Sequence, residues 1–150
     1  LNSLTNIAGG ESAGIPYASL LAQKLKLPLS YIRKERKKFG KKSQIEGNIK
    51  YNDKVLLVED LITDGSSKYN FIEAVEEVGG RIKAIFVIFN YGINKEFLEY
   101  NGKKIKIISL AKWEDVLKIL KLKNIFPQKE ISSIVKFLSS MGIKNLKSFL

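Results

Sequence analysis

The chain of 150 residues contains no cysteine and no histidine. Without cysteine there is no disulfide framework, and the fold suits a reducing compartment, which makes the cytoplasm the expected location. Without histidine the usual general base and the commonest metal ligand are missing, so a Ser-His-Asp triad is excluded and a typical zinc site is argued against. No apolar run reaches the roughly 18 to 20 residues needed to cross a bilayer, and no secretory signal precedes the first polar segment. There is no internal repeat and no linker-like stretch, and the length is that of one domain with a sizeable core.

What is abundant is positive charge, +11 in all, and it is unevenly spread. Residues 33–42 hold seven basic groups and one acid, a local +6, whereas residues 43–100 sum to −4 and residues 101–150 to +8. The compact cluster is a candidate polyanion-binding loop. The single lysines of the last third, spaced among apolar residues, read as solvated faces.

The most informative stretch is Val55-Leu-Leu-Val-Glu-Asp-Leu-Ile-Thr-Asp-Gly-Ser-Ser67. Val55 to Val58 are apolar without alternation, as in a strand buried on both faces of a parallel sheet. Glu59 and Asp60 are expected where that strand ends, at the carboxyl edge where open α/β sheets bind ligands. Thr63, Asp64, Gly65, Ser66 and Ser67 then offer hydroxyls and backbone N–H groups at a helix N-terminus, a phosphate cradle. An ordinary strand-to-helix loop with an Asp or Ser cap shares this spacing. The adjacent carboxylates favour the ligand reading, because two acids at a strand end repel unless a polyol, a metal or basic groups engage them.

Two further stretches flank it. Asn6-Ile-Ala-Gly-Gly-Glu-Ser-Ala-Gly14 reads as a strand end and a glycine turn, with Pro16 opening a helix that carries Leu21, Ala22 and Leu25. Leu29 to Arg33 reads as a second strand leading into the basic run and then Ser43-Gln-Ile-Glu-Gly47, read as one mobile loop. Such a loop is a solvated β-hairpin excursion or a nonspecific basic patch, or else a lid that places cations over a departing anion. Downstream, a helix with Phe71, Ile72, Val75 and Val78 on one stripe stops at Gly79-Gly80, and residues 81–89 form a central strand. The turn Asn90 to Ile93 faces the ligand edge, and residues 104–109 form the last strand. Trp113, Val116, Leu117 and Leu120 mark one amphipathic helix, with Trp113 read as core packing. Pro127 opens another, with Ile131, Ile134, Val135, Leu138 and Met141 on one face and Gly142 at its end.

The stretch from Val55 to Ser67 resembles the phosphoribosyl-pyrophosphate (PRPP) signature of the type I phosphoribosyltransferases, and its surroundings resemble the orotate phosphoribosyltransferases most closely. The resemblance implies an α/β fold with a mostly parallel sheet flanked by helices and a flexible basic catalytic loop. It implies that Glu59, Asp60, Leu61, Ile62, Thr63, Asp64, Gly65, Ser66 and Ser67 bind PRPP, and that Glu11, Ser12, Ala13 and Gly14 form the pyrophosphate loop. Arg33-Lys-Glu-Arg-Lys37 is similar to the family's catalytic loop, which makes Arg33, Lys34 and Lys37 PRPP-binding and makes Lys37, with Asp60, catalytic. Thr63 and Tyr91 are the orotate-binding candidates. The chain departs from the pattern at Ala13, where a lysine is common, and at Phe39, where a histidine is, leaving Lys38, Lys41 or Lys42 to replace that contact.

The implied reaction is Mg²⁺-dependent transfer of ribose 5-phosphate from PRPP to orotate, with the metal held by PRPP and water and by no direct protein ligand. The implied assembly is a homodimer sharing its basic loops. The expected organisation is one phosphoribosyltransferase domain over residues 1–150, lacking the family's N-terminal hood, with residues 124–150 a helical extension packed on the core. A purine or other pyrimidine phosphoribosyltransferase would share the signature. A non-catalytic PRPP sensor that binds nucleic acid through its basic surface is the reading from another class.

Overall fold

A computed structural model describes residues 3–36, 43–93, 96–144 and 146–149. Its elements run β1 (Asn6–Gly10), α1 (Gly14–Leu25), β2 (Leu29–Ile32), β3 (Ile45–Glu46), β4 (Lys54–Ile62), α2 (Ser66–Glu77), β5 (Arg81–Asn90), β6 (Phe97–Tyr100), β7 (Lys103–Lys112), α3 (Trp113–Leu122) and α4 (Gln128–Ser140). A single 3₁₀ turn follows at Lys147–Phe149.

Among the described residues the strands form one seven-stranded sheet in the order β3-β2-β1-β4-β5-β7-β6. The five inner strands are parallel, and β3 and β6 pair antiparallel at the two edges. From β1 the chain crosses to β2 on one side and later returns to β4 on the other. The carboxyl ends of β1 and β4 therefore flank a topological switch point, where α/β sheets open a crevice for ligands.

Residue pattern explains the layers. The apolar run of β4 serves both faces, as a central parallel strand must. Val55 and Leu57 join the cluster under α2 with Ile72, Val75 and Ile85, and Leu56 and Val58 join the cluster under α1 with Ile7, Ala18 and Ala22. A third cluster gathers Leu117 of α3 with Ile131, Val135 and Leu138 of α4, and Phe149 closes it. Among the described residues, no helix is long and apolar enough to cross a membrane.

Four local expectations shift. β4 does not end at Glu59 but pairs with β5 as far as Ile62, opposite Asn90. Both acids therefore stand inside a strand, held by its ladder. Residues 45 and 46, expected in the loop, form β3, because Ile45 is buried in the core and Glu46 accepts the Arg33 guanidinium. β6 was not anticipated, although Asn101 and Gly102 adopt φ of 47° and 73°, the pair of positive φ values that a two-residue hairpin turn requires. Finally, α1 begins two residues before Pro16, and Pro127 stands as the N-cap of α4, outside its first turn.

Candidate functional site

The carboxyl ends of β1, β2 and β4 meet the first turns of α2 around a cleft of about 530 Å³. Glu11, Ser12 and Ala13 line it from the turn after β1, and Lys34 from the segment after β2. Glu59, Asp60 and Leu61 line it from β4, and Ser67, Lys68, Asn70 and Phe71 from α2.

Glycines bracket the turn after β1, Gly10 ending the strand and Gly14 opening α1, because there is no room for a side chain at either. A Cβ at Gly10 would stand 2.1 Å from Glu59 Oε1, and one at Gly14 would stand 2.3 Å from the Val58 carbonyl oxygen and 2.7 Å from Glu59 Oε1. The Glu11–Ser12 peptide within the turn is cis. Strand alternation directs Glu59 to the α2 side of β4, following Val55 and Leu57. There it is 6% exposed, and its Oε2 accepts a hydrogen bond from the Lys68 ammonium. Glu59 Oε1 is buried with no hydrogen-bond partner among the described residues. Burial pushes the Glu59 carboxyl above its ordinary range, while the hydrogen bond and charge of Lys68 oppose that push. Asp60 is half-buried and has no ion pair among the described residues.

After β4 the chain makes a compact turn. Asp64 Oδ1 accepts the Ser66 N–H at 3.0 Å and the Ser66 hydroxyl at 2.9 Å. Both bonds favour the carboxylate and hold Asp64 below the usual range. Gly65, with φ 83°, allows the reversal into α2. The root of the basic segment is tied to the cleft from both sides. Glu11 accepts the Lys34 N–H at 2.8 Å, and Asn70 donates to the Lys34 carbonyl at 2.6 Å. Gln44 donates to the Arg33 carbonyl at 2.9 Å and to Asn70 Oδ1 at 3.1 Å.

The structure thus brings together Glu11, Ser12, Ala13, Lys34, Glu59, Asp60, Leu61 and Ser67 in one cleft. Other predicted residues take different places. Gly14 abuts Glu59 from α1, and Ile62 is buried in the core. Thr63, Asp64, Gly65 and Ser66 build the turn behind Ser67 without lining the cleft. Arg33 is engaged by Glu46 at 3.0 Å and by the Tyr31 hydroxyl at 3.1 Å. Tyr91 stacks edge-on with Phe89 and Trp113 and lines a separate cavity of about 250 Å³ at the ends of β5 and β7. Lys37, Lys38, Phe39, Lys41 and Lys42 lie outside the described residues.

Two cleft residues went unnoticed in the sequence, Lys68 and Asn70. Lys68 had a legible signal. It shares the apolar stripe of α2 with Phe71, Ile72 and Val75, and a lysine on a buried stripe calls for an anion.

The sheet order, the glycine turn after β1 and the acid pair with its hydroxylated turn on β4 define the class as a type I phosphoribosyltransferase fold. The chain belongs to the phosphoribosyl transferase domain family, whose family model matches residues 3–120. An orotate phosphoribosyltransferase of Roseobacter denitrificans is 43% identical over 134 residues, which are 89% of this chain and 60% of that one. The chain spans about three-fifths of the length of the curated relatives it matches. Among solved structures, the orotate phosphoribosyltransferase of Aeropyrum pernix has a TM-score of 0.64 at 29% identity, covering 79% of this chain and 66% of that one. UMP synthase of Leishmania donovani shares the fold with a TM-score of 0.71 at 22% identity, covering 91% of this chain and 29% of that one.

Proposed function

We propose that the chain is the phosphoribosyltransferase part of an orotate phosphoribosyltransferase, moving ribose 5-phosphate from PRPP to N1 of orotate. The observation that carries the PRPP half is the shared cleft. It sets the turn after β1, the acid pair of β4 and the first turn of α2 around one cavity large enough for a phosphorylated pentose. The base is assigned from the 43% identity to an orotate phosphoribosyltransferase over most of this chain.

In this reading the 5-phosphate is received where Ser67 lines the cleft, with the Thr63–Ser66 turn behind it, and Glu59 with Asp60 accepts hydrogen bonds from the ribose hydroxyls. Glu11 to Gly14, with Lys34 and the basic segment behind it, receive the pyrophosphate. The bond from C1 to the pyrophosphate oxygen breaks with its electron pair leaving on that oxygen, and N1 of orotate bonds to C1 as its proton passes to the departing pyrophosphate. The acids beside the ring favour the positive charge that develops there, and cations favour the leaving group, so no histidine is needed.

In the proposed reading Mg²⁺ is carried by PRPP oxygens and water, because the ion keeps much of its hydration shell, and it would supply charge neutralisation on the pyrophosphate. The proposal extends to a cytoplasmic homodimer in which Lys37 of one subunit serves the cleft of the other.

The test is PRPP- and Mg²⁺-dependent consumption of orotate beside uracil, adenine and hypoxanthine. Consumption of orotate alone is expected, and preference for another base overturns the assignment of the acceptor. Lys37→Ala is expected to slow turnover by about 10²-fold or more while changing PRPP affinity little, as for a group used only in the transition state. Equal losses in both would remove Lys37 from the chemistry.

A further inference from the structure

Lys68 is 5% exposed, lines the cleft and lies in the first turn of α2. Neither setting suits a lysine by itself. A cation in a helix's first turn faces the positive end of the helix dipole, and a buried ammonium needs a partner. An apolar residue at this point of the stripe, beside Phe71 and Ile72, would pack α2 on the sheet. The lysine instead spends its charge on Glu59 Oε2. The other Glu59 oxygen is lodged against Gly10 and Gly14, the two positions where a Cβ would come within 2.1 and 2.7 Å of it.

We infer that Lys68 is a positioning residue of the sugar-phosphate site. Its ammonium cancels the charge of Glu59 and fixes that carboxylate beneath the turn after β1, so that a polyanionic phosphoribosyl substrate meets Asp60 as the uncompensated acid of the pair. The inference rests on the function proposed above and deepens it. An acid pair is useful beside a ribose ring but repels the phosphate and pyrophosphate carried by the same ring. At separations of a few ångströms in a cleft walled by Phe71 and Leu61, one surplus negative charge is felt strongly. Pairing Glu59 with Lys68 keeps the carboxylate as an acceptor while removing its net charge.

The test is calorimetric titration of PRPP with Mg²⁺ into wild type, Lys68→Met, Lys68→Arg and the double variant Lys68→Met/Glu59→Gln. Absence of uptake by wild type overturns the proposed function and this inference with it. With wild-type binding in hand, Lys68→Met is expected to weaken PRPP by about tenfold or more, a coupling typical of residues in one ionic network. Lys68→Arg should keep most of the affinity, and the double variant should regain most of what Lys68→Met loses, because removing both charges restores neutrality. Unchanged affinity in Lys68→Met overturns the inference alone, and so does a loss that the double variant does not relieve, which would make Lys68 a direct substrate contact. Should Lys68→Met not fold, the double variant decides, since affinity within about threefold of wild type supports the charge-cancelling role and a larger loss overturns it.

A pH series separates this role from a merely structural one. In Lys68→Met the Glu59 carboxylate keeps the repulsion of Asp60, its neighbour on β4, while Glu11 lines the same cleft and Lys34 is the remaining cation lining it among the described residues. Acidification favours the protonated form of Glu59, so the affinity ratio to wild type should move toward unity as the pH is lowered. A ratio independent of pH overturns the inference.

Discussion

Replacing Gly14 with alanine sets two effects of opposite sign against each other. Gly14 is the first residue of α1, and it is not among the positive-φ glycines. Alanine at such a position normally stabilises a protein by about 0.4–1 kcal/mol, because the unfolded chain has fewer conformations to lose. Here the new methyl carbon would lie 2.3 Å from the Val58 carbonyl oxygen, 2.7 Å from Glu59 Oε1 and 3.2 Å from Glu59 Cα. Two of these three atoms are backbone of β4, whose ladder to β1 and β5 holds them, so no rotamer change relieves the contact. Overpacking of this kind costs about 1–3 kcal/mol. The net expectation is a destabilisation of about 1–2 kcal/mol, read as a fall in Tm of about 2–8 °C for a chain of this size. Thermal and urea unfolding of the two proteins measure it, and PRPP titration should show weaker binding, because the methyl presses on a cleft carboxylate. A variant as stable as wild type, or more so, would refute the claim that α1 opens on glycine for steric reasons.

Two further outcomes are expected. Asp64 is held below the usual carboxylate range by the Ser66 N–H and hydroxyl, so its contribution to stability is present above the unfolded-state value and is lost as pH falls through its lowered folded value. Asp64→Asn should therefore flatten the acid limb of the stability–pH curve, and an unaltered limb would show that these bonds contribute nothing. Leu138 is fully buried between α3 and α4, and Leu138→Ala should cost about 2–5 kcal/mol in urea unfolding. A separate early transition would show that residues 128–149 unfold apart from the sheet, whereas a single shifted transition is expected.

The parts of the molecule that depend on local pattern were readable without coordinates. The unalternating run Val55–Val58 announced a strand buried on both faces, and the 3.6-residue stripes of α2, α3 and α4 announced their inward sides, except at Val78, which stands exposed just past the end of α2. What depends on the partner strand was not readable. Glu59 and Asp60 look like the end of a strand because polarity begins there, yet β5 supplies ladder partners as far as Ile62. Residues 45–46 look like loop because only one of the two is apolar, but Arg33 and the core beneath Ile45 recruit them into the sheet. The acid pair itself was legible as chemistry, while the division between its members was not. Which carboxylate turns inward follows from alternation, but that a lysine nine residues later meets it follows only from the packing of α2 on β4.

The charge of the whole chain is a poor guide to the charge at the cleft. The protein carries +11, yet the described side chains lining the cavity comprise three acids, Glu11, Glu59 and Asp60, against two lysines, Lys34 and Lys68. A site that is slightly negative cannot hold a substrate bearing a phosphate and a pyrophosphate by these groups alone. On the function proposed above, Mg²⁺ would supply part of the missing positive charge and basic groups of the chain the rest. Lys34 is the second residue of the +6 run of residues 33–42, and its backbone is fastened to the cleft by Glu11 and Asn70. The +6 charge of residues 33–42 is the part of the sequence whose composition suits that role, and the acids remain available to the ring. On this argument the lysines of residues 101–150 are dispensable for PRPP binding, and the affinity should track the charge of residues 33–42.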